Sequence, residues 1–190
     1  SAIIAGSYGT YRTYRTYRTY GTLMASQHED NLPLIAFTAL APASVGALIG
    51  MLPGRASPTG AAIVLGVGLL ALAASILHLG HPFRAFRALF GLPSSWLSRE
   101  VVLFSLYLLL LFGYAASPRF GLNGALSNAL GMLAAAAGVA AILATGMVYR
   151  LRARSAWNSW IAVASFPVRA LAVGLPLSFA IRVLAARPLV

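Results

Sequence analysis

Residues 97–116 read LSREVVLFSLYLLLLFGYAA. After Glu100 this stretch carries no charge until Arg119, and Ser117-Pro118-Arg119 closes it. A run of about 20 mostly apolar residues is long enough to cross a bilayer as a helix. It lacks the alternation of a membrane β-strand and exceeds the length of one, so a helix is the structure that satisfies its backbone in lipid. Four further stretches read the same way, at 32–52, 59–79, 124–149 and 160–184. The breaks between them carry stop signals: Pro53-Gly54-Arg55 with Ser57-Pro58, then Gly80-His81-Pro82, and then Arg150, Arg152 and Arg154. The fold class expected is all-α, a polytopic transmembrane helix bundle of about five spans.

Composition agrees. Of the 190 residues 59% are hydrophobic and only 9% charged, against about 25% charged in an ordinary soluble domain. Too few polar groups remain to cover a soluble globule, which excludes a water-soluble domain, a disordered chain and a nucleic-acid-binding module. The net charge of +11 comes from fourteen Arg, no Lys, and only three acids, Glu29, Asp30 and Glu100. Arg is expected to mark the membrane boundary, with membrane lipid as a contact. Cysteine is absent, so no disulfide, iron–sulfur ligation or thiolate metal site is built from this chain.

The chain divides at Met24. Residues 1–23 form a low-complexity segment in which Tyr-Arg-Thr recurs at 11–13, 14–16 and 17–19, a period that fits neither a helix face nor a strand face. Met24-Ala25-Ser26 reads like a natural start, and residues 24–190 form the transmembrane domain. The alternative for residues 1–23 is a basic tail lying on anionic lipid. In the fourth span Gly131, Ala134, Ala137, Gly138, Ala141 and Ala144 leave little side-chain volume, so that helix is expected at the centre of the bundle. The Leu- and Phe-rich third span is expected to face lipid more.

Residues 78–100, HLGHPFRAFRALFGLPSSWLSRE, carry the chemistry. Phe83, Phe86, Leu89 and Phe90 recur at helical spacing with Arg84 and Arg87 between them, the pattern of a short amphipathic helix in the interface. Trp96 is expected at headgroup level, and Glu100 in the first turn of the third helix, where the dipole favours an anion. Because helices alternate direction, the start of the first, the end of the second, the start of the third, the end of the fourth and the start of the fifth share one side. Every His and every acid falls there, with Arg12, Arg15, Arg18, Arg84, Arg87, Arg99, Arg150, Arg152, Arg154 and Arg169; Arg55, Arg119, Arg182 and Arg187 fall opposite.

A titratable, aromatic-rimmed pocket at one membrane face suits a lipophilic molecule with a polar redox head. His78 can accept a proton from a quinol hydroxyl, Arg84 can donate to a quinone oxygen, and Glu29 can relay the proton to water. The plainer alternatives are a boundary His78 bonded to a backbone carbonyl and an Arg pair in contact with lipid headgroups. A haem is poorly supported, because His28, His78 and His81 all lie near helix ends.

The segment also resembles the membrane-anchor subunit of DMSO-reductase-type molybdoenzymes. That family carries His-Leu-Gly-x-Pro-x-Arg-Ala at the end of its second helix and a Ser-Asn/Arg-Glu element opening the third. Here these are His78-Leu79-Gly80-His81-Pro82-Phe83-Arg84-Ala85 and Ser98-Arg99-Glu100. His28-Glu29 with Leu32-Pro33-Leu34 and Phe37-Thr38 resembles the family's opening, and Met147-Val148-Tyr149-Arg150 with Ala156-Trp157-Asn158-Ser159 its link between helices four and five. The family usually has eight helices against five here, which leaves a truncated homologue, or a fragment lacking three helices, as alternatives.

The resemblance implies an anchor that binds quinol or quinone (menaquinone or ubiquinone) and holds no haem or metal of its own. Its partners would be an iron–sulfur electron-transfer subunit and, through it, a molybdopterin catalytic subunit. The site expected is His78, the residue tied to quinol oxidation, with Gly80, Arg84, His28 and Glu29. Arg87, Arg99, Arg150 and Arg152 are expected to meet the partner, with lipid phosphate as an equal claimant. Residence in a prokaryotic cytoplasmic (inner) membrane follows from the same likeness. The competing class is a scaffold or a transporter. A transporter would show polar residues or broken helices near the midplane; Pro42 and Pro176 can kink helices, but no acid lies in any span interior. Arg169 is the awkward charge, either snorkelling to the Arg-rich side or facing the pocket.

Overall fold

The computed structural model describes residues 32–52, 58–78, 91–150 and 159–185, without the side chains of Pro58 and His78. Five helices fill these residues: α1 (Leu32–Met51), α2 (Pro58–His78), α3 (Trp96–Ala116), α4 (Gly124–Val148) and α5 (Trp160–Ala185). Each is long and apolar enough to cross a membrane, and the described residues contain no strand. The molecule is an all-α bundle, as the apolar runs require. Residues 1–23 and the amphipathic segment expected around Phe83 to Phe90 lie outside the described residues.

The helix ends follow local chemistry. Ser95 caps α3, its hydroxyl accepting from the Ser98 N–H at 3.4 Å, and Asn123 caps α4 by accepting from the Leu126 N–H at 2.8 Å. Between α3 and α4 the chain turns through Gly121, whose φ of 61° suits a residue without a Cβ. Starting α3 at Trp96 corrects the expectation for Glu100. It lies just past the first turn, which contains no acid, so its surroundings are set by packing rather than by the helix dipole.

The centre of the bundle is shared by two helices rather than held by α4 alone. Residues 41–48 of α1, APASVGAL, are all buried. Such all-round burial requires small side chains, and α1 supplies them. A Cβ at Gly46 would run into the Ala170 carbonyl of α5, and one at Gly174 would meet the backbone of Gly46 and Ala47. On another side of α1, Val45 packs against Gly138 of α4. Lipid tails are as apolar as the core, so this close backbone packing replaces the hydrophobic drive of a soluble protein.

Polar groups inside the bundle are matched across helices. Tyr107 of α3 donates to the Ser44 hydroxyl of α1 at 2.7 Å, because Ser44 uses its own hydrogen on the Val64 carbonyl of α2 at 3.0 Å. At one end Arg182 of α5 donates to the Gly50 and Met51 carbonyls at 2.8 and 2.9 Å, filling acceptors that the last turn of α1 leaves open. Helix α5 is continuous although Pro167 and Pro176 both lie inside it; a membrane bundle tolerates the lost N–H groups when neighbours cover the freed carbonyls. Helix α3 faces both ways, with Phe104, Tyr107, Leu108 and Leu111 buried and Leu106, Leu109 and Phe112 exposed.

Candidate functional site

The alternation of helices is visible in cross-helix contacts. Phe37, near the start of α1, meets Phe104 of α3 edge-on at 5.6 Å between ring centroids. The end of α4 meets the start of α5 where Gly146 faces Val163. Arg182 and the Ser117–Ser127 hydrogen bond lie at the opposite end.

On the first of these faces the structure buries Glu100, with 6% of its surface exposed. Glu100 lies on the inner stripe of α3 together with Phe104, Tyr107, Leu108 and Leu111, spaced four, seven, eight and eleven residues on. That stripe is the signal in the sequence that turns the carboxyl inward. The Thr145 hydroxyl of α4 donates to Glu100 Oε1 at 2.8 Å and also contacts its own helix at the Ala141 carbonyl, 3.1 Å away. A buried carboxyl without such a partner would be costly.

One turn beyond Thr145, Tyr149 caps α4 and is half-buried. Its ring lies 5.3 Å from that of Phe166 of α5, and the Arg169 guanidinium sits 5.3 Å from the same Phe166 ring. Burial and the nearby Glu100 carboxylate push the Tyr149 hydroxyl above its ordinary pKa, and Arg169 opposes them. Arg169 is exposed and reaches back towards the start of α5, so snorkelling and flanking the cluster are one arrangement here. Glu100, Thr145, Tyr149, Phe166 and Arg169 thus join three helices at one membrane face. Thr145 and Tyr149 are not named as site residues from the sequence, because neither is charged at neutral pH; Tyr149 stands there only within the Met147-Val148-Tyr149-Arg150 stretch of the link between helices four and five.

The residues named from the sequence are placed as follows. His78 is the last residue of α2, which puts it at the same face; its side chain, and all of His28, Glu29, Gly80, Arg84, Arg87 and Arg152, lie outside the described residues. Arg99 turns away from Glu100. It donates to the Leu92 and Pro93 carbonyls at 2.9 Å each and lies 4.3 Å from the Trp96 ring. Arg150 lies 4.4 Å from the Trp160 ring. Both pairs place an Arg on an exposed Trp at the beginning of a helix, the level at which such residues meet headgroups or a docked protein.

A buried carboxyl, a half-buried phenol, aromatic rings and an exposed cation suit an amphiphile with an aromatic polar head. Comparison with known proteins gives the family. The family model described as DMSO reductase anchor subunit (DmsC) matches residues 24–189. The chain is 30% identical to a sulfite dehydrogenase subunit of Allochromatium vinosum over 169 residues, 81% of this chain and 52% of that protein. It is 29% identical to a polypeptide of the anaerobic dimethyl sulfoxide reductase of Haemophilus influenzae over 164 residues, 79% of this chain and 58% of that one. It therefore spans a little over half the length of these curated relatives. No solved structure matches it significantly.

Proposed function

The chain belongs to the DMSO reductase anchor subunit family, and from that premise we propose that it anchors an oxidoreductase complex in the membrane and binds quinol at the face where α2 ends and α3 begins. Quinol oxidation releases two protons and two electrons. The reading assigns the electrons to an iron–sulfur cluster of a partner subunit and then to a molybdopterin subunit. The protons need acceptors in the anchor. His78 at the end of α2 is one. Glu100 is the second, and it is the observation that carries the reading: a carboxyl buried inside the bundle and bonded to Thr145, at the face where α2 ends at His78. The reading keeps the residues expected from the sequence: Arg84 as a donor to the quinone oxygen, Gly80 and His28 in the same site, and Glu29 as a proton relay to water.

A substitution in the assembled membrane complex tests this. Glu100→Gln keeps the size and polarity of the side chain and removes its ability to take a proton. Oxidation of a quinol analogue should fall by about 10²–10⁴-fold, the usual cost of a lost general base. Turnover with a soluble artificial donor that feeds the partner directly should persist. Wild-type quinol oxidation in Glu100→Gln would remove the carboxyl from the site.

The partner is assigned to the same face, where Arg87, Arg99, Arg150 and Arg152 offer cations to an acidic surface. Arg150→Glu with Arg152→Glu should release the soluble subunits from membranes at moderate salt. Retention of the subunits would assign these cations to lipid phosphate.

A further inference from the structure

Thr145 has one hydroxyl hydrogen and two acceptors in reach, Glu100 Oε1 at 2.8 Å and the Ala141 carbonyl at 3.1 Å. Its hydroxyl can also accept. Two hydrogen-bond patterns therefore fit the same heavy-atom positions. With Glu100 ionised, the Thr145 hydrogen points at Oε1. With Glu100 protonated, the carboxyl O–H donates to Thr145 Oγ1 and the Thr145 hydrogen swings to Ala141. In neither pattern is the buried carboxyl oxygen at this contact left without a partner, so no unsatisfied group is added to the desolvation cost of a charge in a low-dielectric interior.

We propose that Thr145 is a positioning residue that lets Glu100 gain and lose a proton without rearrangement of the bundle. The inference rests on the quinol reading above. In the step concerned, one quinol O–H bond breaks and one O–H bond forms on the Glu100 carboxyl. The second proton goes to His78, and the two electrons pass one at a time to an iron–sulfur acceptor in the partner subunit. Among the described residues few other charges bear on the carboxyl. Helix α4 brings Tyr149 and α5 brings Arg169 beyond it; α1 brings no charged residue; Arg99 of α3 is turned to the loop before it. From α2 the titratable residue at this face is His78. Among the described residues the Thr145 hydroxyl is the group in direct hydrogen-bond contact with the Glu100 carboxyl.

The test compares Thr145→Val, which removes the hydroxyl at similar volume, with Thr145→Ser, which keeps it. Both are made in the whole complex. Thr145→Val should lower kcat for quinol analogue by about tenfold or more, the worth of one hydrogen bond to a charged group, with KM and soluble-donor turnover near wild type. Thr145→Ser should restore kcat. Infrared difference spectra of the purified complex give a readout apart from turnover. The protonated-carboxyl C=O band that disappears in Glu100→Gln should shift in Thr145→Val and stay in place in Thr145→Ser. A normal kcat or an unmoved band in Thr145→Val, with Glu100→Gln inactive, would overturn the role of Thr145 and leave the quinol site standing. Failure of Thr145→Ser to rescue an assembled complex would overturn it too, by assigning position 145 to packing. Wild-type quinol oxidation in Glu100→Gln would sink the site reading and this inference together.

Discussion

Arg99 and Glu100 are adjacent in sequence and serve different tasks, because neighbours on a helix point about 100° apart. Arg99 holds the loop before α3 through two carbonyls, and Glu100 enters the bundle to meet Thr145. The role expected of His78 divides in a similar way from that of Arg84. His78→Ala should assemble normally and lose quinol-driven turnover by about 10²–10⁴-fold, while a soluble donor still drives the complex. Arg84→Ala should raise KM for quinol more than it lowers kcat. Steady-state assays with both donors separate the two. Near-normal quinol oxidation by an intact His78→Ala complex would take the imidazole out of the chemistry. An imidazole at a helix end stands out among apolar residues, which is why the sequence singles out His78. Thr145 is not, since a hydroxyl acquires its role only from the carboxyl that packing brings to it.

Helix limits are legible to within one residue, as the step from apolar run to Pro, Gly or Arg coincides with the bilayer boundary. Neighbours are less so, since apolarity says that a helix is covered without saying by what. The burial of α1 lies in its small residues, Ala41 to Ala47, which a hydropathy reading treats like any other apolar run. The α1–α5 crossing can be tested against an internal control. Gly46→Val should place its side chain against the Ala170 carbonyl and destabilise the bundle, by an amount in the range of about 1–3 kcal/mol seen on overpacking, while Gly66→Ala, which meets nothing within 4 Å, should change little. Unfolding curves in mild detergent report both. Equal stability of the two variants would mean that α1 and α5 do not approach as closely as described. In the same assay Ser44→Ala should cost more than Tyr107→Phe, since it strands the buried Tyr107 hydroxyl, whereas Tyr107→Phe leaves Ser44 bonded to Val64.

Among the described residues Arg99, Glu100, Arg150 and Arg169 lie towards one end of the bundle and Arg119 and Arg182 towards the other. The absence of cysteine makes single-cysteine labelling clean. Ser94→Cys and Phe120→Cys, both at exposed positions on opposite sides of α3, should react with an impermeant thiol reagent from opposite sides of sealed vesicles. Labelling of both from one side would break the topology and the site with it. The bracing of α1 by Arg182 also has a consequence in time. The donor lies 132 and 131 residues after its two acceptors, so α1 leaves the ribosome well before α5, and its final turn is closed only when α5 follows it into the bilayer. Until then Gly46 and Gly50 present an open seat that another small-faced segment can occupy. Slowing translation ahead of residue 182 is therefore expected to raise degradation of the nascent protein, because α1 then waits longer for the helix that closes its last turn.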